Sequence, residues 1–200
     1  MSTIFFNSHR STAYKTESWR HIFSQWYNSG QPFIGKPRNE IPHDLSEYLT
    51  DADWNNHITN KQFSLREQFM MYMKAIIFAK NDNKYENLKI AEYILNTNDP
   101  KTIKDYGRKV LGYDETIWNA CRFKVVVNGN YLEFTQNKEM LKILLNTNNR
   151  ELVEASPKDR IWGIGFNVGD GPKTSRDKWG QNLLGKSIME TRTIIQSLPT

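Results

Sequence analysis

Apolar residues recur at helical spacing along most of the chain, and this pattern predicts a mainly helical protein. The clearest helix follows the segment Ser64-Leu65-Arg66-Glu67, which has the form of a capping box. Its core face is expected to consist of Leu65, Phe69, Met73, Ile76 and Ile77. Further helices are predicted at about 83–95, from Asp99-Pro100 to about Leu111, after Asp114, after Asn137, and near the C-terminus with Leu184, Ile188 and Ile195 inward.

Strand signals are fewer. Ile4-Phe5-Phe6 is typical of a short buried strand, and the segment from Arg160 to Phe166 is β-like. The segment 125–134 has two interpretations: a hairpin turning at Asn128-Gly129, or the tail of the helix that begins after Asp114. The predicted fold class is therefore mainly α, or α+β with a minor β component.

No repeat or low-complexity linker divides the 200 residues, so residues 1–200 are expected to form one compact domain. The exception is a segment at about 35–60 that is rich in helix breakers, namely Gly35, Pro37, Pro42 and Asp51-Ala52-Asp53. This segment is interpreted as a surface insertion with about one helical turn.

Composition narrows the class of protein. The net charge of +5 suits a phosphate-bearing ligand but is too diffuse to indicate nucleic-acid binding. Cys121 is the only cysteine, which favours a reducing, cytoplasmic location. The four histidines show no metal-ligand spacing, and the apolar runs are too short to span a membrane. We expect neither metal nor membrane binding, and the oligomeric state stays open.

Two charged residues on the strongest helix are candidates for catalysis. Glu67 and Lys74 are seven residues apart, so both project from nearly the same face, two turns apart. A carboxylate and an amine in one cleft can serve as a general base and an electrophilic or nucleophilic partner. The alternative is structural: Glu67 completes the capping box, and Lys74 extends from an apolar face into solvent.

Two arginines are candidates for holding phosphate. The planar guanidinium groups of Arg108 and Arg122 suit this role because each donates two parallel hydrogen bonds. Arg122 follows Trp118 by one helical turn, so that pair can bracket an aromatic ring and an anion. The alternative is that both arginines are solvated or paired with carboxylates.

The segment from Glu154 to Gly165 contains carboxylates, a hydroxyl group at Ser156, an indole and two glycines within a dozen residues. Trp162 next to Gly163 would let a flat base approach the backbone and stack. Asp159 follows a proline turn and can reach the same pocket. The two glycines do not form a dinucleotide fingerprint, because the third glycine and the following helix are absent.

Taken in order, these segments resemble the YbiA-like family, also called NADAR. The resemblance covers most of the chain, and the C-terminal block is highly specific. The matching residues are Phe23-Ser24-Gln25-Trp26-Tyr27, Glu67-Gln68-Phe69-Met70-Met71, Lys74-Ala75, Pro100, Lys104, Gly107-Arg108, Trp118, Arg122, Phe134, Gln136-Asn137, Leu144-Leu145, Thr147, Glu151-Leu152-Val153-Glu154-Ala155-Ser156-Pro157, Asp159, Trp162-Gly163, Gly165, Trp179-Gly180, Asn182, Leu184-Gly185, Met189 and Arg192.

The resemblance implies a compact, mainly helical fold that hydrolyses N-glycosidic bonds between a ribose phosphate and a base-like amine. Substrate classes in such families are early riboflavin-pathway intermediates and ADP-ribosyl groups attached to guanine. By analogy Glu67, Lys74 and Asp159 are expected to be catalytic. The expected substrate-binding residues are Trp162, Arg108, Trp118, Arg122, Ser156, Gly163 and Asn182.

The expected partner is a phosphorylated ribosyl or ADP-ribosyl small molecule, and ADP-ribosylated nucleic acid is left open. No cofactor is required by any step. The alternative function is a non-catalytic module that binds ADP-ribose or a nucleotide with the same arginines and tryptophan.

Three features depart from the family pattern. Arg66 stands where a small residue is usual, Glu133 replaces a common lysine, and the segment 35–60 is longer than expected. We expect the charge reversal at Glu133 and the longer segment to bear on substrate identity more than on the chemistry.

Overall fold

The computed structural model describes residues 3–14 and 17–199. Its internal contacts divide the chain into two compact units. We call Asn28–Gln136 the helical unit, and Met1–Tyr27 together with Asn137–Thr200 the loop unit. No helix in the described ranges is long and apolar enough to cross a membrane.

The described elements are mainly helical, which confirms the predicted fold class. The α-helices are α1 (Asp51–His57), α2 (Arg66–Ile77), α3 (Lys84–Leu95), α4 (Pro100–Gly107), α5 (Glu115–Gln136), α6 (Lys138–Asn146) and α7 (Leu183–Ser197). The strands are β1 (Thr3–Phe6), β2 (Phe33–Ile34), β3 (Gln62–Phe63) and β4 (Glu151–Glu154). Short 3₁₀ turns lie at Ser11–Ala13, Ser18–Phe23, Arg38–Glu40, Asn81–Asn83, Gly171–Lys173 and Arg176–Lys178.

Helix α2 is the centre of the helical unit, where it packs against α3, α4 and α5. All of its residues except Lys74 are buried. The capping box predicted at Ser64 is wrong, because the helix begins one residue later, with Leu65 at the N-cap. The side chain of Gln68 instead links the helix to the residue before its N-cap, because Oε1 of Gln68 accepts a hydrogen bond from the Ser64 backbone N–H at 2.7 Å. Glu67 therefore has no capping-box role.

Helix α5 resolves the ambiguous segment 125–134. It runs unbroken to Gln136, so the hairpin interpretation is wrong. Asp114 caps the helix as predicted, because its Oδ1 accepts from the backbone N–H groups of Thr116 and Ile117. Gly129 allows a close approach instead of a turn: a Cβ there would lie 2.8 Å from Cδ1 of Phe69 on α2.

The segment 35–60 contributes to the core as well as to the surface. Its apolar side chains Leu45, Leu49, Trp54 and Ile58 are all buried. Helix α1 has a complete capping box between Thr50 and Asp53, and the indole N–H of Trp54 donates to the Lys36 carbonyl at 2.9 Å. The segment thus has a longer helix than the one turn expected and also supplies core residues. That the segment is an insertion stays a prediction.

The loop unit is built on a parallel pair of strands. Strand β1 pairs with β4 from Thr3 opposite Glu151 to Phe6 opposite Glu154, and α7 packs on β4. The predicted strand at Ile4-Phe5-Phe6 is confirmed. The β-like prediction for the segment from Arg160 to Phe166 is wrong, because its backbone forms consecutive turns in which Gly165 has a φ of 78°.

Two departures from the family pattern contact each other in the helical unit. Nε of Arg66 lies 2.6 Å from Oε2 of Glu133, and both side chains are 1% exposed. The guanidinium also donates to Oδ1 of Asn130 at 3.2 Å and lies 5.0 Å from the Phe134 ring centre. The Glu133 carboxyl is thus enclosed in the core beside Arg66, and its effect on substrate identity stays a prediction.

This pair yields a prediction about stability. Removing one member leaves a buried charge unpaired, so Glu133→Ala should lower the free energy of unfolding by about 3–5 kcal/mol in urea titration. Replacing both with apolar residues, in Arg66→Met/Glu133→Leu, should recover most of the loss. The control is Glu40→Ala, which breaks the exposed pair with Lys36 and should cost about 0–1 kcal/mol. Equal losses for Glu133→Ala and Glu40→Ala would contradict the assignment.

Candidate active site

Lys74 occupies an aromatic cage in the helical unit. Its Nζ donates a hydrogen bond to the Gly107 carbonyl at 2.9 Å. The same atom lies 4.3 Å from the ring centre of Tyr113 and 6.0 Å from that of Trp118. Burial lowers the pKa of the Lys74 amine, and the positive charge of Arg108 lowers it further. Burial and the charge of Arg108 thus favour the neutral, nucleophilic form of the amine more than an exposed site would.

The cage depends on the close approach of α4 to α2. Gly107 ends α4, and a Cβ at this position would overlap the Sδ atom of Met71 on α2. Only a residue without a side chain brings this carbonyl to Lys74 without displacing Met71. Gly107 is therefore a positioning residue for the amine.

Glu67 lies on the same face of α2 as Lys74, in the first helical turn. Seven residues at helical rise separate the two Cα atoms by roughly 10 Å along the axis. The Glu67 side chain is 5% exposed. A carboxylate in this position is favoured by the positive end of the helix dipole. With the capping-box alternative removed, the catalytic role of Glu67 stays a prediction from its spacing.

The other candidates in the helical unit surround the cage. Trp118 is buried and supplies one aromatic face. Arg108 is exposed and pairs with Asp105 at 3.2 Å, yet its charge reaches Lys74. Arg122 is half-buried, and its positive charge acts on the Tyr113 hydroxyl. Both arginines that are predicted to bind phosphate thus lie near the Lys74–Tyr113 pair.

The candidates in the loop unit share one tight turn. Oδ1 of Asp159 accepts hydrogen bonds from the backbone N–H groups of Ile161 at 2.9 Å and Trp162 at 2.8 Å. The Gly165 N–H donates to the carbonyls of both Ser156 and Asp159. These bonds bring Ser156, Asp159 and Trp162 together and fix their backbone.

Gly163 allows this turn to close. A Cβ at Gly163 would lie 2.9 Å from the Glu154 carbonyl oxygen and 3.0 Å from that of Asp159. The structure therefore supports a packing role for Gly163, in addition to the substrate approach that was predicted for it.

Asn182 connects this turn to strand β4. Its Oδ1 accepts from the Glu154 backbone N–H at 2.9 Å, and its Nδ2 donates to the Leu152 carbonyl at 3.0 Å. Its backbone N–H donates to the Gly163 carbonyl at 3.3 Å. Because the strand engages both polar atoms of the amide, the geometry favours a positioning role for Asn182 over the predicted contact with substrate.

Sequence reasoning overlooked two residues. Tyr113, which covers the Lys74 amine, has no sequence signal because the contact joins residues 39 positions apart.

Glu154 had a signal, namely a carboxylate directly after the apolar residues Leu152-Val153, but no role was assigned to it. Its Oε2 is enclosed and has no hydrogen-bond partner in the described structure. Burial, followed by the nearby charge of Asp159, raises the pKa of Glu154 to about 8.

The candidates thus fall into two groups. Glu67, Lys74, Arg108, Trp118 and Arg122 belong to the helical unit, and Ser156, Asp159, Trp162, Gly163 and Asn182 to the loop unit. Within residues 3–14 and 17–199, no group of three or more histidine, cysteine, aspartate or glutamate side chains is placed to hold a metal ion.

Comparisons with known proteins agree on one family. The NADAR domain model matches residues 8–196 and so spans both units. N-glycosidase R617 of Acanthamoeba polyphaga mimivirus is 35% identical over 181 residues, which are 90% of this chain and 91% of that protein. Protein irg-1 of Caenorhabditis elegans is 32% identical over 174 residues, 86% of this chain and 74% of that protein.

A solved structure shows a similar fold. The NMR structure of the E. coli protein YbiA has a TM-score of 0.57 and 20% identity, and the alignment covers 98% of this chain and 87% of YbiA. The YbiA-like fold predicted from the sequence is thereby confirmed.

The environment of Lys74 leads to a prediction about its ionisation. In NMR spectra of protein with ¹³C-methylated lysines, the Lys74 resonance should titrate below those of exposed lysines. Arg108→Ala should raise the pKa of Lys74, because it removes a nearby positive charge. Lys101→Ala, which removes an exposed lysine from α4, serves as the control and should leave that titration unchanged. If the pKa of Lys74 in Arg108→Ala equals that in the wild type, the effect of Arg108 on the caged amine is refuted.

Proposed function

The chain belongs to the NADAR domain family, and on this premise we propose that it is an N-glycosidase, a hydrolase acting on N-glycosyl compounds. Its substrate carries a base-like amine on the C1 carbon of a ribose phosphate or ADP-ribose. Support for the activity comes from the relative named N-glycosidase, which matches nine-tenths of this chain.

The observation that carries the proposal is the caged amine of Lys74. A lysine with a lowered pKa has a larger neutral fraction at physiological pH, and only the neutral amine is a nucleophile. Glu67 supplies a buried carboxylate on the same helix face. An amine and a carboxylate placed in this way suit chemistry at the C1 carbon of a sugar.

Cleavage passes through an oxocarbenium-like state. The electron pair of the C–N bond goes to the base nitrogen, which gains a proton, and the oxygen of a water molecule bonds to C1. In our proposal the Glu67 carboxylate offsets the positive charge at C1 or takes the proton of the attacking water. Asp159 is the second acid or base.

Lys74 has two candidate roles. Its amine either donates hydrogen bonds to the ribose hydroxyls or phosphate, or traps the opened sugar aldehyde as a Schiff base. The lowered pKa supports the second role, since imine formation needs the unprotonated amine.

The substrate class follows from the groups that would contact its parts. The guanidinium groups of Arg108 and Arg122 suit a phosphate or pyrophosphate, and the indole of Trp162 suits a flat base. We propose riboflavin-pathway ribosylaminopyrimidines and ADP-ribosylated guanine, free or in nucleic acid, as the classes to test. The single cysteine fits action in the cytoplasm.

A substrate panel tests the proposal. The protein should release free base from a riboflavin-pathway intermediate or from ADP-ribosyl-guanosine, detected by chromatography, with NAD and ADP-ribose as comparisons. Glu67→Gln should retain the fold and lower this release about 100-fold or more, the range expected for a lost acid or base. ADP-ribose binding in calorimetry without any product would instead indicate a non-catalytic binding module, and would refute the enzyme assignment.

The two roles of Lys74 are separable. Lys74→Arg keeps the positive charge but cannot form an imine, so a hydrogen-bonding role should survive in part and an imine role should be lost. Borohydride added during turnover should then trap a covalent adduct on the wild type and on the control Lys101→Arg, but not on Lys74→Arg. An adduct of equal yield on Lys74→Arg would exclude Lys74 as the trapping amine.

A further inference from the structure

The backbone around Glu154 is fixed from two directions. Its N–H donates to the side chain of Asn182, and its carbonyl accepts from the Ile164 N–H at 2.9 Å. Since Glu154 is also the last residue of β4, opposite Phe6 on β1, its Cα has little freedom to move. The backbone that carries the carboxyl group is therefore held in place before any ligand binds, as the support of a catalytic group needs to be.

No cation neutralises this carboxyl in the described ranges. The Arg20 guanidinium pairs with Glu17 and donates to the Phe5 carbonyl. The negative charge of Glu154 acts on the Tyr14 hydroxyl group, which donates to the Ser8 carbonyl and accepts from the backbone N–H of Ser8.

Arg192 reaches the opposite end of β4 from α7, where it donates to Thr147 and to the Arg150 carbonyl. The charged group that acts on Glu154 is thus another carboxyl, that of Asp159. Glu133 is the contrasting case, because it is buried beside Arg66. Glu154 is enclosed without such a counterion, which favours its neutral, protonated form.

When a protonated carboxyl lies beside an ionised one, the first can act as an acid and the second as a base. Asp159 accepts two backbone N–H groups through Oδ1 and so acts as an acceptor. Oε2 of Glu154 has neither donor nor acceptor within hydrogen-bonding distance among the described residues. Glu154 as a residue is only partly buried, although its Oε2 is enclosed.

We propose that Glu154 is a further catalytic residue, the general acid that donates its proton to the nitrogen of the leaving base. This role rests on the proposed N-glycosidase function. Glu154 thereby takes the acid role that the sequence analysis left open for Asp159. The negative charge of Asp159 instead keeps the proton bound to Glu154.

The step balances without any added reagent. The C–N bond breaks with its electron pair on nitrogen, and the proton of Glu154 moves to that nitrogen. Water bonds to C1 and releases one proton to solvent. Glu154 then regains a proton from solvent.

The pH profile of base release tests the role. Turnover by the wild type should fall as the pH rises through about 8, because Glu154 then loses the proton that it donates. Glu154→Gln should lower turnover about 100-fold or more and abolish this basic limb. Glu139→Gln, which changes an exposed glutamate on α6, is the matched control and should keep both the rate and the limb.

A second measurement does not depend on activity. With ¹³C-labelled glutamate carboxyls, one NMR resonance should titrate near pH 8 and be absent from Glu154→Gln. In Asp159→Asn this resonance should titrate at lower pH, because the neighbouring negative charge is gone. If Glu154→Gln does not fold, Asp159→Asn still provides this test, since Glu154 is intact in that variant.

The outcomes separate this inference from the proposed function. Wild-type turnover with an intact basic limb in folded Glu154→Gln would overturn the role of Glu154 alone. A Glu154 resonance that titrates like an exposed glutamate would do the same. If the wild type releases no base from any member of the panel, the proposed N-glycosidase function fails, and the catalytic role of Glu154 fails with it.

Discussion

The helical unit depends on the burial of α2 on every side. A helix that packs against α3, α4 and α5 at once has no solvent-facing stripe, so each polar group on it needs a partner inside the protein. Arg66 lies beside Glu133, and Gln68 donates to the Ile94 and Thr97 carbonyls at the end of α3. These contacts fix the rotation of α2, which in turn directs Lys74 at the end of α4 and keeps Glu67 enclosed.

In the loop unit a different constraint holds the turn of Asp159 and Trp162. The parallel pairing of β1 with β4 joins residues near the N-terminus to the strand that precedes the turn, and the segment after the turn returns across it. Backbone bonds from Gly180 to the Ile164 carbonyl and from Leu184 to the Trp162 carbonyl are possible because the chains nearly touch. A Cβ at Gly180 would overlap the Arg160 carbonyl oxygen. Close packing of the backbone thus explains the glycines of the C-terminal block, whose pattern is specific to the family.

The sequence predicted features that depend on local geometry and missed those that depend on distant contacts. Helix caps at Asp99 and Asp114 were predicted because each involves backbone groups within three residues. Asn128-Gly129 suggested a turn, but Phe69 from another helix explains the glycine. The cage of Lys74 and the enclosure of Glu154 likewise arise only on folding, since burial shifts the pKa of each group and sequence spacing carries no record of burial.

The pairing of Arg66 with Glu133 also bears on how substrate choice evolves in this fold. A lone arginine in the core would cost several kcal/mol, and so would a lone glutamate, because neither charge has solvent or a counterion there. The two departures from the family pattern are tolerable together and costly apart, so they indicate repacking of the helical core. Residues that discriminate between substrates must instead be able to touch them. Arg108 is exposed and electrostatically coupled to Lys74, whereas the Glu133 carboxyl is enclosed.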